Sequence, residues 1–143
     1  MHRVMRMTVI DWMSNAAAIS WGSKRQPSVA LPSCEAEIMA ASEAAKEAVY
    51  LRNFCDELCE RQTDDPVDLG VDNQAARDLS YNPEFHQRTK HIDRRHFYVR
   101  ELVEDGRIVV PFVRSADNLA DFFTKPLAAA PFVALRNRIM GHS

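Results

Sequence analysis

The chain has 143 residues, a formal net charge of -2 and 46% hydrophobic residues. This length and composition predict one folded domain over residues 1–143 and exclude a disordered or multidomain chain. The near-neutral charge excludes a protein that coats nucleic acid through net positive charge alone. Any contact with nucleic acid must therefore be local.

The three cysteines, Cys34, Cys55 and Cys59, are an odd number in a chain whose first residues form no apolar signal core. This usage is typical of free thiols in a reducing compartment. No apolar run approaches the roughly 20 residues that a membrane-spanning helix needs. We therefore expect an intracellular protein, cytoplasmic or nuclear, that has no membrane partner.

Two N-terminal segments rich in Met, Val, Ile and Trp flank the turn signal at Ser14 and Asn15, which favours a β-hairpin. Ser33 is a suitable N-cap for a long helix that no Pro or Gly interrupts before Pro66. Later segments show period-two or helical spacing of apolar residues. In chain order, the predicted elements are strands at 3–12 and 16–23, a helix that begins near 33, a strand at 67–71, helices at 74–79 and 89–104, a strand at 108–113, a helix at 115–123 and a last helix near 132–139.

The turn signals that follow these segments support their boundaries. Asp105 and Gly106 are predicted to end the helix at 89–104, and Pro111 places the strand at 108–113 near a sheet edge. The order β-β-α-β-α-α-β-α-α predicts an α/β domain in which helices pack on a mixed sheet.

Glu37 is the charged member of an otherwise apolar stripe on the long helix. A carboxylate in a buried stripe is costly unless it is paired or bound to a cation. The alternative is an exposed acid in the first turn, where it complements the helix dipole. The stripe predicted to face the sheet consists of Glu37, Ala41, Ala44, Ala48, Leu51, Cys55 and Leu58.

Two further carboxylates stand at positions that suit a site. Asp72 follows a predicted interior strand, at the end where open α/β sheets bind ligands. The alternative is that Asp72 or Asn73 simply caps the next helix. Asp121 belongs to a short helix that is apolar around it, and its alternative is an ordinary exposed acid.

Glu37, Asp72 and Asp121 together predict a metal site. Mg2+ and Mn2+ take oxygen ligands from a few carboxylates and leave positions for substrate phosphates. Two such ions, roughly 4 Å apart, can clamp the attacking and leaving oxygens of a phosphodiester.

Basic residues suit the same substrate, because they are the side chains that contact phosphates. The alternative is a solvated, charged helix surface. The candidates for nucleic-acid binding are Lys24, Arg25, Arg88, Lys90, Arg94 and Arg95.

Several separate motifs occur in order along the chain, at 18–21, 33–47, 71–76, 86–93 and 119–127. They include Ile-Ser-Trp, Ser-Cys-Glu-Ala-Glu, Val-Asp-Asn-Gln-Ala-Ala and Leu-Ala-Asp-Phe-Phe-Thr-Lys-Pro-Leu. Together they resemble the ribonuclease H domain at the C-terminus of copia-type retrotransposon Pol polyproteins. The resemblance runs from about residue 17 to residue 143.

The resemblance implies a ribonuclease H-like fold that hydrolyses the RNA strand of RNA-DNA hybrids with two divalent ions, Mg2+ or Mn2+. Glu37, Asp72 and Asp121 match carboxylates of that family's site. The implied partners are an RNA-DNA hybrid and the reverse transcriptase part of a longer polyprotein.

One departure concerns the N-terminus. The family begins with a central strand that carries its first catalytic aspartate, about two dozen residues before the Ile-Ser-Trp strand, whereas Asp11 precedes Ile19 by only eight positions. Either that strand is missing and the domain is N-terminally truncated, or Asp11 replaces its aspartate. In the first case the chain is a catalytically dead remnant that at most binds nucleic acid. The strand at 67–71 then exposes an unpaired edge, which predicts lower stability or a homodimer through that edge.

Overall fold

The computed structural model describes residues 3–8, 17–25, 33–59, 64–82 and 90–142. Its elements are the strands β1 (Arg3–Thr8), β2 (Ser20–Arg25), β3 (Val67–Asp68) and β4 (Ile108–Val109) and the helices α1 (Ser33–Cys59), α2 (Gln74–Tyr81), α3 (Lys90–Glu104), α4 (Asp121–Thr124) and α5 (Ala129–Ile139).

β1 and β2 form the predicted antiparallel hairpin, with Thr8 opposite Ser20 and Arg3 opposite Arg25. The strand bounds differ from the prediction, and the predicted turn lies outside the described residues. The Ser20 hydroxyl donates a hydrogen bond of 2.9 Å to Glu47 Oε1 and so ties β2 to α1.

α1 is the longest element, because residues 33–59 are rich in alanine and contain neither Pro nor Gly. Leu58 is 67% exposed, so the prediction that it faces the sheet is wrong. The apolar stripe therefore faces the core along only the first part of α1. Its buried members are Ala41, Ala44 and Ala48, and its partly exposed ones are Glu37, Leu51 and Cys55.

β3 and β4 form a parallel pair, and their pairing continues beyond the regular strands. Leu69 N–H donates to the Val109 carbonyl at 2.8 Å, and Val71 N–H donates to the Pro111 carbonyl at 3.1 Å. Val113 N–H then donates to the Val71 carbonyl at 2.8 Å. The segments predicted as strands at 67–71 and 108–113 therefore do run side by side.

The core lies between α1, α3 and the parallel pair. α3 ends as predicted, because Gly106 adopts a positive φ of 67° that favours glycine. His96 on α3 is buried, with its Nε2 at 2.6 Å from the Leu79 carbonyl. The core cluster contains Ala41, Ala44, Ala45, Leu69, Val71, Val99, Leu102, Ile108 and Val110.

The predicted helix at 115–123 is two short pieces, a 3-10 turn at Ser115–Asp117 and then α4. Asn118 lies between them, and its Oδ1 accepts the Ala120 N–H at 3.0 Å. Such local side-chain bonds compete with a continuous helix. α5 follows as predicted near 132–139, and its Ile139 carbonyl accepts the Ala18 N–H at 2.9 Å.

The chain is thus a mixed α/β fold with more helix than strand and a small parallel sheet. Within the described residues, β1–β2 and β3–β4 form two separate two-stranded sheets rather than the single mixed sheet expected. The part of the chain that the structure describes contains no helix long and apolar enough to span a membrane.

Candidate functional site

Glu37 and Asp72 meet where the first turns of α1 approach the end of the β3 segment. The Glu37 carboxyl group is hydrogen-bonded to the Asp72 side chain and also accepts the Asp72 backbone N–H. A direct hydrogen bond between two carboxyl groups requires a proton on one of them.

Asn73, and not Asp72, caps the next helix. The Asn73 Oδ1 accepts the Ala76 N–H at 3.0 Å, which satisfies a donor of the first turn of α2. The capping alternative for the Asp72 side chain is therefore wrong, and that side chain is directed to Glu37 instead.

Asp121 is the first residue of α4 and lies near enough to influence Glu37. Its side chain is only 13% exposed. Lys125, one turn further along the chain, places Nζ at 2.8 Å from Asp121 Oδ2. The three predicted carboxylates thus come together, with a lysine ammonium beside one of them.

The environment of Glu37 raises its pKa from 4.5 to about 7. Burial is the largest cause, because it disfavours the charged carboxylate. The charge of Asp72, the shared hydrogen bond and the charge of Asp121 act in the same direction. The Asp72 N–H opposes them, because it stabilises the ionised form.

Lys125 has a raised pKa, chiefly because it donates a hydrogen bond to Asp121 and also because Asp121, Asp72 and Glu37 are negative. Lys125 belongs to the motif at 119–127 but is not among the site residues predicted from the sequence. Its spacing of four residues from Asp121 was the available signal, since such pairs meet on a helix surface.

The carboxylate oxygens are the donors that Mg2+ and Mn2+ prefer. Their present arrangement is not yet a metal centre: in the ranges that the structure describes, no three His, Cys, Asp or Glu side chains are grouped to hold an ion. The Glu37–Asp72 hydrogen bond takes up oxygens that an ion would need. The donor chemistry fits a divalent ion once Glu37 has lost its proton.

The basic candidates are spread over two elements. Arg94 is exposed and Arg95 partly exposed on α3. Lys24 and Arg25 belong to β2 and Lys90 begins α3, but the placement of their side chains is not described. Arg88 and Asp11 lie outside the described residues, so their roles stay predictions.

A groove of about 410 Å³ is lined by Glu37 and by residues of the strand segment that contains β3. Small alanines of α1 form one wall, Leu69 to Val71 lie along it, and the segment 113–120 forms another wall. Glu37 therefore belongs to the lining of this recess, whose other charged members are Asp68, Asp117 and Arg138.

Pol polyproteins of plant transposons are similar to most of the chain. It is 40% identical over 129 residues to the retrovirus-related Pol polyprotein from transposon TNT 1-94 of Nicotiana tabacum, a match that covers 90% of this chain. It is 37% and 36% identical over 121 residues to the corresponding Pol polyproteins from transposons RE1 and RE2 of Arabidopsis thaliana, each covering 85% of this chain. The chain is homologous to a segment of copia-type Pol polyproteins.

The matched segment is a small part of each Pol polyprotein. The chain spans 10% of the tobacco relative and 8% of each Arabidopsis relative. No family model and no solved structure matches the chain. The Pol relationship therefore shows a retrotransposon origin, and the activity of this segment is a separate question.

Proposed function

We propose that this chain is a retrotransposon-derived ribonuclease H-like domain, which binds RNA-DNA hybrids and hydrolyses their RNA strand when its acidic site holds divalent ions. The observation that carries the proposal is the meeting of Glu37, Asp72 and Asp121 from three separate elements. Homology to retrovirus-related Pol polyproteins from transposons supports it.

Glu37, Asp72 and Asp121 are the residues that would hold Mg2+ or Mn2+, two ions if the site is complete. Bound ions supply an activated water and stabilise charge on the phosphodiester. The side chains of these three residues would supply ionised oxygens and hold them in position. Glu37 does so only above its raised pKa of about 7, or when a cation replaces its proton.

A second candidate is a binding remnant that recognises the hybrid without cleaving it. The specific observation in its favour is that Glu37 and Asp72 are hydrogen-bonded to each other, and that the described part of the chain holds no group of three metal ligands. In this case the domain acts beside the reverse transcriptase part of a longer polyprotein and only positions the hybrid.

The test is cleavage of an end-labelled RNA-DNA hybrid by the purified chain in Mg2+ and then in Mn2+, with EDTA as the metal-free control. Asp72→Asn removes a proposed ligand, and Asp64→Asn is the matched control, because Asp64 is exposed and precedes β3 whereas Asp72 follows it. We expect cleavage by the wild type and by Asp64→Asn, and a loss of at least 100-fold in Asp72→Asn.

The same samples distinguish the two candidates. Hybrid binding without cleavage, from a chain with a cooperative unfolding transition, supports the remnant. Cleavage that persists in Asp72→Asn identifies a contaminating nuclease. A folded chain that neither binds nor cleaves the hybrid contradicts both candidates.

A further inference from the structure

Lys125 is a basic residue beside the acidic site. Its Nζ lies 2.8 Å from Asp121 Oδ2, and the Asp121 side chain is only 13% exposed. The negative charges of Asp72 and Glu37 also act on the ammonium, so all three proposed metal ligands are near it. The lysine side chain itself is 54% exposed. The ammonium is therefore placed between buried carboxylates and solvent.

The backbone keeps Lys125 next to Asp121. Asp121 begins α4, and the Lys125 N–H donates to the Asp121 carbonyl at 3.1 Å where that helix ends. Side chains four residues apart are neighbours on a helix surface, so the ion pair forms without any strain of the backbone. The Phe122 ring stacks on Phe132 of α5, with 4.9 Å between the ring centroids, and anchors the same helical turn. The fold thus fixes where this lysine stands.

Lys125 and a divalent ion would compete for Asp121. Mg2+ lies roughly 2.1 Å from the oxygens that bind it. An ion on Asp121 would therefore lie within a few ångströms of the ammonium, which is 2.8 Å from the same carboxylate. Two cations that close repel each other. Binding of the ion weakens the Lys125–Asp121 pair, and by linkage the pair weakens binding of the ion.

A displaced ammonium needs a new acceptor, and the proposed substrate supplies one. Lysine carries its donors on a flexible stem and binds phosphate as a point charge. The phosphodiester that the site would cleave must approach the same carboxylates, which repel it unless cations are present. We therefore expect phosphate oxygens within reach of the half-exposed Lys125 side chain.

We propose that Lys125 is the counter-ion of Asp121 in the metal-free chain, and that it moves to a phosphate of the hybrid once a divalent ion binds Asp121. This role rests on the proposed function and adds a phosphate-binding residue to it. Loss of the ammonium then has opposite effects on the two ligands, because the metal binds more tightly and the hybrid binds more weakly. A lysine that only holds Asp121 in position would instead weaken the binding of both.

Charge and stem length are separated by the choice of variants. Lys125→Met removes the charge and keeps an aliphatic stem, whereas Lys125→Arg keeps the charge. Lys46→Met is the matched control, because the Lys46 side chain is 55% exposed and its Nζ lies 3.0 Å from Glu43, a carboxylate outside the proposed site. Lys125→Gln is a second neutral variant. Thermal melts of each variant show whether the fold is kept.

Metal binding is measured by isothermal titration calorimetry with Mn2+ in the absence of hybrid. We expect Mn2+ to bind Lys125→Met about tenfold more tightly than the wild type, because a positive charge close to the ion is lost. Lys125→Arg and Lys46→Met should stay within about twofold of the wild type. An unchanged or weaker affinity in Lys125→Met and Lys125→Gln would overturn the proposal.

Hybrid binding is measured by fluorescence anisotropy in saturating Ca2+ over a series of KCl concentrations, with denaturing gels to confirm that the RNA strand is intact. Ca2+ takes the same oxygen ligands as Mg2+ with looser geometry. Loss of one phosphate contact in Lys125→Met should weaken binding and reduce the slope of log K against log salt by about 1. A slope equal to that of the wild type would also overturn the proposal.

The same measurements separate the role of Lys125 from the nuclease function. A folded wild-type chain that binds no Mn2+ refutes the metal site and the role of Lys125 together. A wild-type chain that binds Mn2+ and cleaves the hybrid, beside a Lys125→Met variant with unchanged affinities, refutes the role of Lys125 alone.

Discussion

The two outer edges of the parallel sheet form an internal comparison. On the β4 side, Val110 N–H donates to the Tyr81 hydroxyl at 2.9 Å, so a side chain from α2 closes that edge. On the β3 side, Asp68 and Gly70 border a groove whose lining includes Glu37. A side chain therefore pairs with a backbone donor on one edge, whereas the other edge borders the groove.

The side chains along these edges differ in the same way. Ile108 and Val110 on the β4 side are completely buried. The β3 side meets short alanines on α1 and then Glu37, a carboxyl group whose burial is costly when charged. We therefore expect the buried side chains of β4 to contribute more packing energy than the alanines beside β3, whereas the carboxylates of the proposed site lie on the β3 side.

The largest loss of stability is expected from a substitution in β4. Ile108→Ala removes a completely buried side chain and leaves a cavity, so unfolding in urea should cost about 3 kcal/mol less. Val109→Ala is the neighbouring control, because Val109 is partly exposed, and we expect about 1 kcal/mol or less. Equal losses in the two variants would contradict the contrast between buried and exposed positions on β4.

Gly70→Ala tests the close approach between Gly70 and Val113. The new Cβ meets Val113 Cγ2 at 2.6 Å, so we expect a loss of about 2 kcal/mol. Val113→Ala should restore much of that loss in the double variant, because it removes the colliding methyl group. Additive losses in a double-mutant cycle would show that the strain arises elsewhere.

Much of the secondary structure follows from local sequence. Spacing and turn residues, which act over a few positions, predict the hairpin, the long alanine-rich helix and the parallel segments. They also predict that α3 ends before Gly106. The division of the predicted helix at 115–123 depends on the Asn118 side chain, which competes locally with the helix. The exposure of Leu58 depends on where the core ends, which the spacing of apolar residues along the helix does not indicate.

The sequence singled out the three carboxylates that the fold brings together, but it did not indicate their hydrogen bonds or the raised pKa of Glu37. Glu37, Asp72 and Asp121 stood out in the sequence because a charged side chain in an apolar setting is costly unless it is paired or bound to a cation. That Asn73 takes the capping role, and that Lys125 reaches Asp121, depend on side-chain directions in three dimensions. The raised pKa of Glu37 depends on burial, which only the packed chain defines.

Glu37 should make stability depend on pH. Its pKa is about 7 in the folded chain against 4.5 ordinarily, so the folded state holds the proton more tightly. The resulting stabilisation is present in full below pH 4.5 and is lost as the pH rises through 7. Glu37→Gln should flatten this profile and be more stable than the wild type at pH 8 by about 1–2 kcal/mol.

Urea titrations at several pH values measure this profile. Glu35→Gln, two residues earlier on the same helix, is the matched control and should keep the pH dependence of the wild type. A Glu37→Gln variant that loses stability with pH as steeply as the wild type would show that Glu37 does not hold the extra proton.

The smallest effect tests how the β4 edge is closed. Tyr81→Phe removes only the hydroxyl that accepts the Val110 N–H, and a backbone donor without a partner costs about 1 kcal/mol. The Tyr81 side chain is about half exposed and phenylalanine keeps its ring, so little packing is lost with the oxygen. Amide hydrogen exchange should accelerate at Val110 by about tenfold, whereas exchange at Leu69, bonded to β4 within the same sheet, should change only with global stability. If Val110 exchanges no faster than the global change allows, then Tyr81 does not protect this edge, and the two outer edges of the sheet are more alike than their hydrogen bonds indicate.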